Sequence, residues 1–299
     1  MSLLVIGTLA LDKIETPYAS RDEALGGSAT YFAYASANFN PVSLVGVVGT
    51  DFPDDELLAL NSHGVDTSGV EIADGKTFRW AGRYEANWNT RHTLDTQLGV
   101  FEHWDPKVVG DLTNAKYVFL ANAAPAVQAK ALDQCKGAEF VMLDTMNLWI
   151  DIAKDELIAV LKRVNGVVLN DEEATMLTGE TNLIKAAKAV LALGPDFVVL
   201  KKGEHGAFLV GKDVHFSLPA YPVEKVIDPT GAGDSFAGGF MGYIASCQNT
   251  SPCTLKRAML YGTVTASFCV EGFSMDVLAS KKRGMVEERF NELLQITTI

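Results

Sequence analysis

The run Asp228-Pro229-Thr230-Gly231-Ala232-Gly233-Asp234 puts a carboxylate at the end of a glycine-rich turn, just ahead of an apolar stretch of helical length, 235–246. Pro229 does not fit inside a sheet or a helix, so it marks a loop. The glycines let the backbone approach a ligand closely. A loop of this kind entering a helix aims free N–H groups at one point, with the positive end of the helix dipole behind them. That is an anion site. An acid there repels a bound phosphate, so a passive phosphate binder gains nothing from Asp234. A phosphoryl transferase does gain: the carboxylate accepts the proton of an attacking hydroxyl while the N–H groups stabilise charge on the transferring group. The plain alternative is an acid capping a helix, with glycines placed for tight packing.

Other candidates stand at comparable places. Asn170-Asp171-Glu172-Glu173 follows an apolar run directly. It reads as a ligand-facing strand end, or as a helix cap with acids in the first turn. Lys201-Lys202-Gly203-Glu204-His205-Gly206 follows another such run, where a lysine can reach phosphate or simply sit on a surface hairpin. Asp144-Thr145-Met146-Asn147 ends a further strand, and Gly26-Gly27 opens a helix. Each is ordinary alone. All fall at strand ends or helix starts, where open α/β sheets bind ligands. Gly75-Lys76-Thr77 resembles the end of a phosphate-binding P-loop, but Val70 stands where that motif needs its first glycine.

The elements that must position these residues are short apolar runs alternating with amphipathic ones. Strands are expected at 3–7, 42–48, 117–120, 140–144, 167–170 and 197–201. Helices are expected at 28–38, 54–63, 126–136 and 183–193. Strand and helix in series imply a mostly parallel sheet covered on both faces. Segment 76–101 breaks the rhythm. It alternates over 77–85, with Phe78, Trp80 and Tyr84 on one face and Arg79, Arg83 and Glu85 on the other, and again near 94–101. We read it as a small sheet inserted between α/β units, either a lid over the site or an edge hairpin. The aromatics, with Trp88, can stack on a ligand or pack inward, and Arg79, Arg83 and Arg91 can meet an anion or water.

Bulk composition narrows the partners. A chain of 299 residues, 48% hydrophobic, can bury a large core without staples. Cys135, Cys247, Cys253 and Cys269 show no metal-ligand spacing and read as thiols of a reducing compartment. The net charge of −12 argues against nucleic acid and against an anionic membrane surface. With no signal-like or membrane-length apolar run, the expected location is cytoplasmic.

On these residues the chain resembles the ribokinase or PfkB family of carbohydrate and nucleoside kinases over nearly its full length. The 228–234 run matches the family's D-x-T-G-A-G-D signature, Gly26-Gly27 its glycine pair, Asn170 and Glu173 its N-x-x-E, and 201–206 its K-x-G-x-x-G stretch. The resemblance implies a ribokinase-like three-layer α/β/α domain (1–12, 24–75 and 102–299) with a mostly parallel central sheet, plus a small β-sheet lid (13–23 and 76–101). It implies ATP and Mg2+ as cofactors and admits K+. Asp234 would be the base, and Gly231, Ala232 and Gly233 the anion hole. Asp12, Gly26, Gly27 and Asn122 would face the substrate. Asn170, Glu173, Lys202, Gly203, Gly206 and Gly272 would face the nucleotide, with Glu173 holding Mg2+ through water. Asp228 would hold the monovalent cation. A homodimer through the lid is also implied.

Two departures bear on the substrate. Ser28-Ala29-Thr30-Tyr31 replaces the lysine and asparagine that grip sugar in ribokinases proper, which counts against ribose. Leu148-Trp149 stands where sugar-acid kinases carry an arginine. The sequence reading puts a sugar hydroxymethyl first as acceptor and a nucleoside second. A non-catalytic nucleotide or metabolite sensor is the reading of another class. An NAD enzyme lacks its glycine fingerprint after the first strand.

Overall fold

The computed structural model describes residues 3–298. The expected outer bounds at residues 1 and 299 lie outside the described residues. Along the chain run β1 (Leu3–Ile6), β2 (Ala10–Glu15), β3 (Ser20–Gly26), α1 (Ser28–Ser36), β4 (Val42–Gly49), α2 (Asp54–Ser62), β5 (Val65–Ala73), β6 (Arg79–Tyr84) and β7 (Arg91–Gln97). Then come β8 (Tyr117–Leu120), α3 (Pro125–Gln134), β9 (Phe140–Asp144), α4 (Asn147–Ile152), α5 (Lys154–Leu161), β10 (Gly166–Asn170), α6 (Asp171–Thr178), α7 (Leu183–Leu191) and β11 (Phe197–Lys201). The chain finishes with β12 (Ala207–Gly211), β13 (His215–Leu218), α8 (Ala232–Cys247), α9 (Pro252–Cys269) and α10 (Arg283–Thr297).

A nine-stranded sheet has the order β13-β12-β11-β10-β9-β8-β1-β4-β5. Its pairs are parallel from β11 to β5, and β12 and β13 close it antiparallel. The three-layer build follows from alternation along the buried strands. Leu3, Val5, Phe119, Met142, Val168 and Val199 pack into the core shared with α1, α8, α9 and α10. Their neighbours Leu4, Ile6, Val118, Val141, Val167 and Val198 pack into the core shared with α3, α5, α6 and α7. The inner strands are apolar on both faces because a helix layer covers each.

The alternation also decides which side a strand's last residue faces. Continuing it, Asp144 after Met142, Asn170 after Val168 and Lys201 after Val199 fall on the α8 side. Lys202 falls on the other side, where its ammonium stands 3.8 Å from the Phe208 ring centroid. The strand ends therefore bring three polar side chains to one edge of the sheet, facing the N-terminus of α8.

Strands β3-β2-β6-β7 form a second, four-stranded sheet. Its pairs are antiparallel except β2 with β6. It reaches further than expected at its start: Asp12 and Gly26 lie in its strands β2 and β3, whereas the sequence reading put both in the α/β body. Its last strand ends earlier than the alternation near 94–101 suggested. Gly99 turns the chain at φ +54 against the Lys76 backbone, and a 3-10 turn (Gly99–His103) carries Phe101 into the α/β core. Trp80 and Trp88 pack around Ile14, Ala24 and Tyr84 in a small core of this sheet's own.

Candidate active site

A cleft of 1080 Å³ opens between the ends of the parallel strands, the start of α8 and the small sheet. The 228–234 loop forms its floor. Gly231 caps α8 at φ +74, and a Cβ there would fall 2.2 Å from the Tyr31 ring, so only glycine permits this turn. No side chain caps the helix. Among the described residues the amides of Gly231 and Gly233 have no hydrogen-bond acceptor. Ala232, expected as a third donor to the anion, spends its N–H on the Pro229 carbonyl at 3.2 Å. The free backbone donors at the start of α8 are therefore those of Gly231 and Gly233.

Asp234 lies in the first turn of α8 and lines the cleft. Burial, then the nearby Asp144, push its carboxyl up to about 7, with Glu173 adding to the rise and Lys201 opposing it. Glu173 is pushed up to about 7, chiefly by burial. It also closes a capping box with Asn170: its Oε2 accepts from the Asn170 amide at 2.8 Å, and Asn170 Oδ1 accepts from the Glu173 amide at 2.7 Å. The helix-cap reading of this motif is thus realised, and the cap holds the carboxylate at the cleft wall. Asp144 is raised by burial as well. Three acids crowd one wall with a single lysine, Lys201, whose Nζ lies 3.7 Å from Asp144 Oδ2.

Asp12 is 4% exposed and its Oδ1 has no hydrogen-bond partner among the described residues. Burial, with help from Asp228 and Asp234, raises it to about 8. Gly26 does not line the cleft; it makes room for Asp12, whose Oδ2 would lie 2.0 Å from a Cβ at 26. Gly27 lines the cleft and caps α1. Asn122 lines it too, its Oδ1 accepting from Trp149 Nε1 at 3.0 Å and its Nδ2 meeting Met146 Sδ at 3.1 Å. That sequence-distant tryptophan was missed in the sequence reading, which noted only that it replaces an arginine.

Of the residues expected to face a nucleotide, Gly203 and Gly206 line the cleft. The lysine that does so is Lys201, not Lys202. Gly272 packs against Val277 away from the cleft, and Thr263, Ala266, Ser267 and Val270 of the α9 region form the wall expected there. Asp228, 1% exposed, lies just behind the floor. Its Oδ1 accepts from the Thr230 amide at 2.9 Å and its Oδ2 has no partner among the described residues.

The small sheet covers the cleft with Phe78, Trp80, Tyr84, Trp88 and Arg91. Two contacts tie it to the working loops: Thr230 Oγ1 donates to Tyr84 Oη at 3.3 Å, and Asn89 Nδ2 donates to Glu204 Oε1 at 3.1 Å. Arg79 is committed to Asp51 at 2.7 Å and Glu23 at 3.1 Å, and Arg83 to Glu15 at 2.7 Å. Arg91 alone of the three faces the cleft, above the Trp80 ring.

A carboxylate beside free helix-start amides, at the strand ends of an α/β sheet, suits phosphoryl transfer. Comparison with known proteins agrees: residues 15–279 match the pfkB family of carbohydrate kinases. The chain belongs to that family. This kinase is 33% identical to a cytidine kinase of Thermococcus kodakarensis over 81% of this chain and 87% of that enzyme. Its fold matches the nucleoside kinase of Methanocaldococcus jannaschii, an archaeal member of the ribokinase family, with TM-score 0.77 at 22% identity, covering 97% of this chain and 98% of that one. It also matches a protein from E. coli solved in complex with ATP and Mg2+, with TM-score 0.80 at 18% identity, covering 97% and 99%. Among the described residues, no helix is long and apolar enough to cross a membrane.

Proposed function

We propose that this kinase transfers the γ-phosphoryl group of ATP to the hydroxymethyl oxygen of a nucleoside, with Asp234 as general base. This reorders the acceptors of the sequence reading, which put a free sugar first. The observation that carries the change is the 33% identity to a cytidine kinase across most of both chains. The cleft agrees with it. Its volume of 1080 Å³ and its walls of Phe78, Trp80, Trp88 and Trp149 suit a flat base as well as a sugar.

In this reading Asp12, with its unpartnered oxygen, accepts a hydrogen bond from a sugar hydroxyl, while Asn122, oriented by Trp149, borders the substrate with the one Nδ2 donor not spent on Met146. The acceptor's hydroxymethyl then lies against Asp234, which takes its proton as the oxygen attacks phosphorus. The free amides of Gly231 and Gly233, backed by the α8 dipole, stabilise the charge on the transferring group. The crowding of Asp144, Glu173 and Asp234 fits a cation arriving with the nucleotide. Asn170 and Glu173 would hold the waters of Mg2+, which supplies charge neutralisation to the phosphates. The buried, unpartnered Oδ2 of Asp228 fits a monovalent cation. The open edge of β7, exposed at every residue, supports assembly of two copies through the small sheet.

A coupled ADP-release assay over nucleosides and free sugars tests the acceptor. We expect kcat/KM for the best nucleoside to exceed that for any free pentose or hexose by about 100-fold, the scale of discrimination a base pocket supplies. A free sugar outperforming every nucleoside would restore the first reading. ATP binding with no turnover on any acceptor would favour the sensor.

A further inference from the structure

Lys201 is a half-buried cation, its side chain 18% exposed, with little to do in the apo fold. An ammonium carries three donors. Among the described residues its only carboxylate within ion-pair range is Asp144, and at 3.7 Å that contact is longer than a hydrogen bond. Among the described residues Nζ makes no contact of hydrogen-bond length, yet the group lines the cleft. Its position relative to the anion hole is tightly defined. A Cβ at Gly233 would stand 2.7 Å from Nζ and 3.5 Å from the side chain's Cε. The ammonium therefore lies directly against the loop whose Gly231 and Gly233 amides are unpaired. A side chain at 233 would push the ammonium away from this place.

The fold holds Lys201 in this place by three means. Strand alternation points it to the α8 face, Asn170 stands opposite it in the parallel register, and Asp144 on the next strand anchors its charge. Burial works against its protonation, but Asp144, Glu173 and Asp234 outweigh that and keep the lysine above its ordinary range.

We propose that Lys201 is a catalytic residue of the transfer, its ammonium completing with the Gly231 and Gly233 amides the positive cradle around the transferring phosphoryl group. The inference rests on the phosphotransferase reading of the site, not on which acceptor is used. In the step, the acceptor oxygen forms a bond to the γ-phosphorus and the bond from that phosphorus to the β–γ bridging oxygen breaks. The electron pair leaves on the ADP oxygen, and the acceptor proton goes to Asp234. Lys201 keeps its protons throughout and swings its unspent donors from the Asp144 side toward the phosphoryl oxygens. Asp144 is then a positioning residue, holding the ammonium ready between turnovers.

The rival account is that Lys201 merely neutralises Asp144. Two variants separate them: Lys201→Met, and the charge-balanced Lys201→Met/Asp144→Asn, which leaves no buried carboxylate unpaired. Steady-state kinetics with ATP and a nucleoside should show kcat lowered about 10²–10³-fold in both, the usual cost of one oxyanion donor. The KM for the nucleoside should stay within about threefold. If Lys201→Met does not fold, the double variant decides. Recovery of kcat in the double variant to within about threefold of the unmodified enzyme overturns the proposal. If the unmodified enzyme phosphorylates no nucleoside, the acceptor reading has failed. The comparison is then run on slow ATP hydrolysis with water as acceptor, where the same loss is expected and equal rates would refute the role of Lys201.

Discussion

Asp12→Asn should stabilise the ligand-free protein at neutral pH while crippling it as an enzyme. The Asp12 carboxyl is almost wholly buried, one oxygen is unpartnered, and its pKa rises from 3.8 to about 8. A carboxyl held above its unfolded value binds its proton more tightly in the native state. Its stabilising contribution is therefore complete below about pH 4 and is lost as pH climbs toward 8. Between those limits the loss is at most about 1.4 kcal/mol per pH unit. Asparagine has the same shape and no charge to desolvate. The stability difference between Asp12→Asn and the unmodified protein should thus grow with pH, by up to about 2.7 kcal/mol from pH 5 to pH 7. Urea melts of both proteins at pH 5, 6 and 7, without nucleotide or acceptor, measure it directly. Groups that do not interact with Asp12 cancel in the difference, and Asp228 and Asp234, whose charges raise its pKa less than burial does, leave a smaller remainder. A difference that stays flat, or falls as pH rises, would show that Asp12 is ionised in the apo fold and would remove the argument that its carboxylate waits for a substrate hydroxyl.

Three further outcomes follow from the same site. With Asp234 raised to about 7 in the ligand-free enzyme, kcat/KM for MgATP should fall about tenfold per pH unit below that value and level off above it, in a pH–rate profile at limiting MgATP. Gly231→Ala places a methyl 2.2 Å from the Tyr31 ring at φ +74, so it should cost about 1–3 kcal/mol of stability and lower kcat at least about tenfold, read by thermal melts and initial rates. Trp149→Phe removes the 3.0 Å bond that orients Asn122, and should raise the acceptor KM about tenfold while changing the ATP KM little.

Much of the architecture was legible because hydrophobic alternation carries it. The parallel strands 117–120, 140–144 and 197–201 stand where their apolar runs end, and the glycine loop before α8 does turn into a helix. Asp234, Glu173 and Gly203 line the cleft because strand ends and helix starts are where such a sheet displays its side chains, whereas Asp12, offered only by the family resemblance, lines it from within β2. The misreadings have physical causes too. Choosing Lys202 ignored the period of two that Val199 had already fixed, and counting on from that valine selects Lys201. Ala232 was lost as a donor because a turn bond to Pro229 depends on local geometry that a motif does not encode. Gly26 was read as a ligand contact, yet it is small so that Asp12 can be buried across the strand pair, a long-range fit. The Trp149–Asn122 bond joins residues on different elements, and no spacing announces it.

The central claim is that Asp234 takes the proton of the attacking hydroxyl. The most direct measurement is the turnover of Asp234→Asn with ATP and the best nucleoside, alongside its affinity for ATP by calorimetry. The account predicts kcat lowered by about 10²–10⁴-fold with ATP affinity within about threefold of the unmodified enzyme. Near-normal turnover by the asparagine variant would contradict it.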